Sequence, residues 1–184
     1  MSQDSPNYNG ASASDLYFCI ISARYNEALV DQLCARVVEV LRQRGAAKGA
    51  ISLMRVPGSM ELPYAAYMQA MSGQFDAIVA LGVVIAGDTA HHQTIEQSTA
   101  RAFHEIAMRT EIPVINGVLT VGTQQQAAER CGPKFDRGAE FAGAAIEMAS
   151  HKVELVARLD ALEAYGDNGN EDDDDPFGGF LTKN

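Results

Sequence analysis

The stretch Ala77–His92, with the sequence AIVALGVVIAGDTAHH, decides the fold of this chain. Its first nine residues, Ala77–Ile85, are apolar throughout, which is typical of a strand covered on both faces in a parallel sheet. Gly87 ends the run, and a helix is predicted to begin at His91 and to run to about Thr110. This order of strand, glycine turn and helix favours an α/β protein that binds ligands at the carboxyl ends of its strands.

The turn after this strand combines an anion site with a proton carrier. Backbone N–H groups at a helix start, together with the Thr89 hydroxyl, can bind a phosphate group. The imidazole of His91 can transfer protons near neutral pH. The structural alternative is that His91 caps the helix or faces solvent, and His92 is interpreted as a structural or pocket-wall residue.

The composition fits one globular domain with an ordinary core. Of the 184 residues, 47% are hydrophobic, and no apolar run approaches the roughly 20 residues that a membrane span needs. The start, MSQDSPNYNGASASD, lacks the basic and apolar regions of a secretory signal. We therefore predict a flexible N-terminal arm over residues 1–15, a folded domain over residues 16–165, and no membrane partner.

The negative charge is concentrated at the C-terminal end of the chain. The formal net charge is −10, and half of it comes from six acidic residues against one lysine after residue 165. Such an acidic segment, rich in Gly and Asn, cannot bury a core, so residues 166–184 are predicted to be a disordered tail. The remaining body has no basic patch, which disfavours nucleic-acid binding.

The cysteines favour a reducing compartment. Cys19, Cys34 and Cys131 are odd in number and far apart, and no CxxC spacing occurs. A disulfide framework and a structural zinc site are therefore disfavoured, and a cytoplasmic location is predicted. Cys19 lies in an apolar strand and is expected in the core.

The remaining chain alternates strands and helices. The other predicted strands are Leu16–Ser22, Ala50–Val56 and Pro113–Thr120. The other predicted helices begin at Asn26, Ser59, Gln124 and Arg137, with the Asn26 and Thr123 side chains as N-caps. Right-handed crossovers then give a three-layer α/β/α sandwich around a four-stranded parallel sheet.

In this topology four segments share one edge of the sheet. They are Ala23–Asn26, Pro57–Glu61, Ile85–His91 and Asn116–Thr120. The edge thus collects an aromatic ring, a carboxylate, a histidine and a glycine turn.

These segments together resemble the lumazine synthase (6,7-dimethyl-8-ribityllumazine synthase) family. The resemblance runs from about Leu16 to Ala149 and rests on VPGSMELP at residues 56–63, GDTAH at residues 87–91 and Glu-Arg at residues 129–130. It implies a flavodoxin-like fold without metal or organic cofactor. It also implies a homo-oligomer, either a pentamer or an assembly of pentamers, with active sites between neighbouring subunits.

The resemblance implies a reaction between two small molecules. The family condenses 5-amino-6-ribitylaminouracil with 3,4-dihydroxy-2-butanone 4-phosphate through imine formation, phosphate elimination and ring closure. His91 matches the catalytic acid–base. The matching substrate-binding residues are Tyr25, Asn26, Ser59, Met60, Glu61, Val83, Val84, Ile85 and Asn116. The matching phosphate-binding residues are Gly87, Asp88, Thr89, Arg130 and Arg137.

Within these sets the resemblance gives some residues a specific role. Tyr25 would stack on the pyrimidine ring, Glu61 would accept hydrogen bonds from the ribityl chain, and Arg130 would pair with the phosphate. Structural alternatives remain for all three residues. Tyr25 could be a hydrophobic plug, Glu61 a first-turn carboxylate, and Arg130 a cation at a helix C-terminus.

Four features depart from the usual family pattern. Ala86 replaces an arginine, His92 an aromatic residue and Asn116 a phenylalanine, and the loop CGPKFDRG at residues 131–138 is one residue shorter. Because Ala86 and Asn116 alter the pocket, a non-catalytic flavin- or lumazine-binding paralogue is the alternative. A nucleotide-binding module is disfavoured because GxGxxG and GxxxxGK[ST] are absent. The shorter loop leaves the choice between free pentamers and larger shells open.

Overall fold

The computed structural model describes residue 8 and residues 10–167, with side chains as far as residue 163. The strands are β1 (Phe18–Ala23), β2 (Ile51–Val56), β3 (Ala77–Ile85) and β4 (Val114–Val121). The α-helices are α1 (Glu27–Gln43), α2 (Leu62–Met71), α3 (His91–Thr110), α4 (Gln124–Cys131) and α5 (Arg137–Asp167). The predicted element order is confirmed, although the helix expected from Ser59 starts with a 3₁₀ turn, Ser59–Glu61.

The four strands form one parallel sheet in the order β2-β1-β3-β4. The two central strands are covered on both faces: every residue of β1 is buried, and so are the first seven residues of β3. The apolar run from Ala77 therefore is the buried parallel strand that the sequence predicts.

Two apolar clusters, one on each face of the sheet, make the predicted three-layer sandwich. One cluster packs α1 and the first part of α5 against β1 and β3, with Leu33, Val37 and Ile146 among its buried residues. The other packs α2 and α3 on the opposite face, through Leu62 and Phe103. Cys19 lies in this second cluster, as predicted, and burial raises the pKa of its thiol to about 12. Its thiol is therefore a small apolar filler at neutral pH.

The described residues divide into two compact units, one up to Val153 and one from Glu154 onward. In the first unit, Ala13 is fully buried and its N–H donates to the Arg44 carbonyl at 2.8 Å. Of the predicted arm, residues 1–7 and 9 lie outside the described residues. So do residues 168–184 of the predicted acidic tail. No described helix is long and apolar enough to cross a membrane.

Strand β2 forms one edge of the sheet and is the most exposed strand. Its four middle residues, 52–55, are all exposed, and Leu53 keeps 61% of its surface accessible. The burial of this strand therefore differs sharply from that of β1 beside it.

Candidate active site

Three of the four predicted segments, and the C-terminal end of the fourth, lie at the carboxyl edge of the sheet. The register pairs Ala23 with Val56 and Ile85 with Val121. The residues that follow β1, β2 and β3 therefore leave the sheet on the same side, as ligand-binding loops do in parallel α/β folds.

Asn26 ties the β1 loop to the end of β3. Its side-chain Nδ2 donates to the Val83 carbonyl at 2.8 Å, and its backbone is left-handed, with φ 55°. Asparagine tolerates this conformation better than most residues. Asn26 is the N-cap residue of α1, as predicted, but its side chain makes no capping hydrogen bond, because the amide donates across the sheet edge instead.

The Tyr25 ring and the Glu61 carboxylate meet at Gly58. A Cβ at Gly58 would lie 3.2 Å from Tyr25 Cδ2 and 3.1 Å from Glu61 Oε2, so a side chain there would press on both groups. Glu61 Oε2 accepts a hydrogen bond from the Gly58 N–H at 2.8 Å. Tyr25 is 74% exposed, which does not fit a buried plug and leaves ring surface open to a ligand.

Ser59 and Met60 connect this group to the sheet and to α3. Ser59 is buried, and its Oγ would lie only 2.5 Å from a Cβ at Gly82. Met60 is exposed, and its Sδ accepts a weak hydrogen bond from Ser98 Oγ at 3.6 Å. The close approach at Gly82 was not predicted, although a glycine inside a strand is a general indicator of one.

The predicted phosphate turn stands exposed between β3 and α3. Gly87, Asp88 and Thr89 are all exposed, and the N-cap of α3 is Ala90, which makes no side-chain capping bond. His91 is therefore not the N-cap of this helix. The His92 ring instead contacts the turn, with Nδ1 3.0 Å from the Thr89 carbonyl. A helix start that lacks a side-chain cap suits an anion.

The end of β3 carries the predicted main-chain groups. Val83 is buried, and Val84 and Ile85 are half-buried. Opposite Val84 in the register lies Thr120, whose buried Oγ1 has no hydrogen-bond partner within the described residues. Thr120, the last residue of the predicted Asn116–Thr120 segment, is thus a polar group at this edge.

Arg130 lies in the last turn of α4, which Thr123 caps as predicted. The Thr123 Oγ1 accepts from the Gln126 N–H at 3.2 Å. The Arg130 guanidinium donates to the Gln126 carbonyl at 3.2 Å and lies 5.4 Å from the Phe135 ring centroid. Lys134 contacts the same ring at 5.5 Å. This cation–π arrangement, which holds Arg130 in place, was not predicted.

The loop between α4 and α5 is anchored by an ion pair. Arg36 donates to both Asp136 oxygens, at distances from 2.7 to 3.1 Å, and Asp136 Oδ1 also accepts from the Ala139 N–H. Arg137, the next residue, pairs with Glu140 in the first turn of α5. The contacts described for Arg130 and Arg137 thus lie within their own segment of the chain.

Asp136→Asn is expected to destabilise the fold by about 1 kcal/mol at neutral pH, since the pair is partly exposed. Hydrogen bonding from Arg36 holds the pKa of Asp136 below its ordinary value of 3.8. The stabilisation is therefore complete above that value and is lost as the pH falls through the lowered folded value. Urea unfolding between pH 7 and pH 3 measures it.

The control for this variant is Glu105→Gln, which removes the exposed i,i+4 pair with Arg101 and should cost less than about 0.5 kcal/mol. Equal losses in the two variants at pH 7 would contradict the anchoring role of Asp136.

Asn116 lies apart from the other predicted site residues. The register pairs it with Ala80, five residues before Ile85, which is roughly 16 Å along the strand. Its side chain is exposed, and Oδ1 accepts from the Val118 N–H at 3.1 Å. Within one chain, the structure does not bring Asn116 to the carboxyl edge.

Comparison with known proteins shows which family has this pattern. A family model described as 6,7-dimethyl-8-ribityllumazine synthase matches residues 15–152, which is more than half of the chain. The chain belongs to the lumazine synthase family. The match includes all the predicted site residues, and it ends at residue 152, whereas α5 continues to Asp167.

Several curated relatives carry the lumazine synthase name. The protein from Halorhodospira halophila is 41% identical over 148 residues, covering 80% of this chain and 92% of the relative. The protein from Gloeobacter violaceus is 42% identical over 155 residues, with coverages of 81% and 86%. The protein from Nitrosospira multiformis is 38% identical over 158 residues, with coverages of 86% and 92%.

Membership in the lumazine synthase family defines the activity. The chain is a transferase of riboflavin biosynthesis that condenses 5-amino-6-ribitylaminouracil with 3,4-dihydroxy-2-butanone 4-phosphate. The names of the relatives support this enzyme and give no support to the binding-only alternative. Among the residues that the structure describes, no group of three or more His, Cys, Asp or Glu side chains could hold a metal ion.

Proposed function

We propose that the condensation takes place at the carboxyl edge of the sheet, between the Tyr25 ring and the turn before His91. The observation that carries this proposal is the contact of Tyr25 and Glu61 with Gly58. The open surface of Tyr25 suits stacking on a pyrimidine. Carboxylate and hydroxyl oxygens at Glu61 and Ser59, beside the Met60 side chain, suit a polyhydroxyl chain.

The end of β3 would recognise the polar edge of the heterocycle. Residues Val83–Ile85 can offer main-chain N–H and C=O groups there. The Asn26 amide supports this role, because its bond to the Val83 carbonyl fixes the orientation of that peptide. Donors and acceptors that are fixed before binding lose less entropy when a ligand arrives.

The phosphate of the four-carbon substrate would bind at the start of α3. Thr89 and the N–H groups of residues 87–89 can donate to its oxygens, and α3 contributes its positive dipole end. Arg130 and Arg137 would add charge-assisted hydrogen bonds. The stacking of Arg130 on Phe135 supports this role, because it limits the motion of the guanidinium.

His91 would carry the protons of the reaction. The substrate amine attacks the ketone carbon, and an acid must protonate the departing oxygen so that water leaves and an imine forms. A base must then take the C–H proton whose electrons expel phosphate, before the second amine closes the ring. An imidazole at the first position of α3, directly after the phosphate turn, can serve in both steps.

Arg130→Ala is expected to raise the KM for the butanone phosphate and to lower kcat/KM roughly 10- to 100-fold, because a hydrogen-bonded charge pair is lost. The KM for the pyrimidine should not change. Steady-state rates with each substrate varied in turn test this. Arg109→Ala, an exposed cation in the last turn of α3, is the matched control. An unchanged KM for the phosphate substrate in Arg130→Ala would remove Arg130 from the site.

We also propose a homo-oligomer, a pentamer or an assembly of pentamers, with each site shared between neighbouring copies. Two observations support this. Asn116 is exposed but remote from its own edge, as expected of a residue that serves a neighbour. The α2 helix exposes the apolar side chains Tyr64, Tyr67, Met68 and Met71. A patch of this kind marks an interaction surface. Sedimentation velocity tests the proposal, and a monomer with full turnover would contradict it.

We also propose a cellular location for the protein and bounds for its folded domain. Three free, dispersed cysteines support a reducing, cytoplasmic location. The composition of the chain supports an arm over residues 1–15, of which Ala13 packs into the core of the folded domain, and an acidic tail over residues 166–184. Limited proteolysis followed by mass spectrometry tests these limits, and cleavage first inside residues 16–165 would contradict them.

The first assay is lumazine formation, followed optically, by the purified chain with both substrates. A rate well above the uncatalysed rate is expected. Tight flavin or lumazine binding without any acceleration would instead favour the binding paralogue, with Ala86 and Asn116 as its cause.

A further inference from the structure

The C-terminal part of α5 carries an exposed apolar stripe. Leu155, Leu159 and Leu162, here called the leucine seam, are 57%, 59% and 49% exposed. Their spacing of four and then three residues places them on one face of the helix, with the period of a coiled coil. The family match ends at residue 152, so this stripe lies outside the matched residues and away from the predicted site residues in the sequence.

We propose that the leucine seam binds the same segment of a second copy of this chain as a parallel helix pair. The charges beside the seam support this orientation. Arg158 precedes Leu159, and Glu163 follows Leu162. In a parallel pair these two flanking positions, five residues apart, face each other across the interface, so Arg158 of each copy meets Glu163 of the other.

The antiparallel arrangement is disfavoured by the same charges. It would place Arg158 opposite Arg158 and Glu163 opposite Glu163, and like charges in these positions are destabilising. A membrane surface is also disfavoured as the occupant. Residues 154–163 hold three acidic side chains, Glu154, Asp160 and Glu163, against Arg158 alone. A helix that lies on anionic lipid instead has a polar face rich in Lys and Arg.

A peptide that contained only the leucine seam would associate weakly, because the segment is short. Helices shorter than about 12 residues are marginal in water on their own. Here the segment is the end of the 31-residue helix α5, so the helix is already nucleated. If the chains are also held together elsewhere, the effective concentration of the segments strengthens the pairing. The proposal does not depend on the active-site assignments.

Disulfide trapping in the full-length chain tests the proposal. In a parallel pair Leu162 faces its own counterpart across the seam, within reach of a disulfide, whereas Ala161 points away from it. Purified Leu162→Cys is therefore expected to form a covalent dimer on mild oxidation, and Ala161→Cys is not. The wild-type chain gives the background from its native cysteines, of which Cys19 and Cys131 are buried.

A charge reversal separates a specific pair from random collision. Arg158→Glu in the Leu162→Cys chain is expected to abolish the covalent dimer, and adding Glu163→Arg is expected to restore it. Equal trapping of Ala161→Cys and Leu162→Cys, or none in either, overturns the proposal. So does trapping that Arg158→Glu leaves unchanged, which would indicate another orientation or occupant. Lumazine formation by each variant reports that the chain is folded.

Discussion

Replacing His91 by alanine is expected to lower kcat roughly 10²–10⁴-fold, the usual contribution of a positioned acid or base. His91 is the first residue of α3 and follows the exposed turn that is proposed to hold the phosphate. Among the described residues, His92 is the other histidine beside this turn, and its ring already contacts the Thr89 carbonyl. The residual rate should exceed that in water, because the site still holds two reactive partners together.

The matched control is His104→Ala, which removes an exposed imidazole from the same helix. It should leave kcat and both KM values unchanged. Single-turnover traces of lumazine formation separate chemistry from product release in both variants. An unchanged single-turnover rate in His91→Ala would exclude His91 from proton transfer.

Phe103→Ala is expected to destabilise the fold by about 3–5 kcal/mol, the usual cost of truncating a buried phenylalanine. Phe103 is fully buried and is the largest side chain that α3 contributes to the core. Because α3 begins at His91, loosening this helix should also lower activity well below the unfolding temperature. Denaturant unfolding gives the loss of stability, and the rate at low temperature gives the effect on the site.

The control on the same helix is Met108→Ala, whose side chain is 75% exposed. It should change the free energy of unfolding by less than about 0.5 kcal/mol. A similar, small change in both variants would mean that α3 is not anchored through Phe103.

The sheet was predictable because its central strand has an unambiguous pattern. The apolar run before Gly87 is typical of a strand covered on both faces, and the structure buries its first seven residues, Ala77–Val83. Strand limits were less accurate. The first strand was predicted from Leu16 but begins at Phe18, because Leu16 is buried without joining the ladder.

The site was less predictable, because its contacts join residues distant in sequence. Asn26 is a good capping residue by local statistics, yet its amide bonds Val83, which is 57 positions away. The crowding of Gly58 and Gly82 depends on side chains from other segments. For Asn116, only the strand register shows how far along β4 it lies from the carboxyl edge. Local patterns contain none of this information.

The open edge at β2 has a consequence for how the protein is produced. An exposed edge strand with apolar side chains such as Leu53 can pair with extended segments of other chains. In newly synthesised chains, correct assembly therefore competes with aggregation. Slow expression at low temperature should therefore give a higher yield of unaggregated protein than rapid induction. Replacing Leu53 by a charged residue should raise this yield as well.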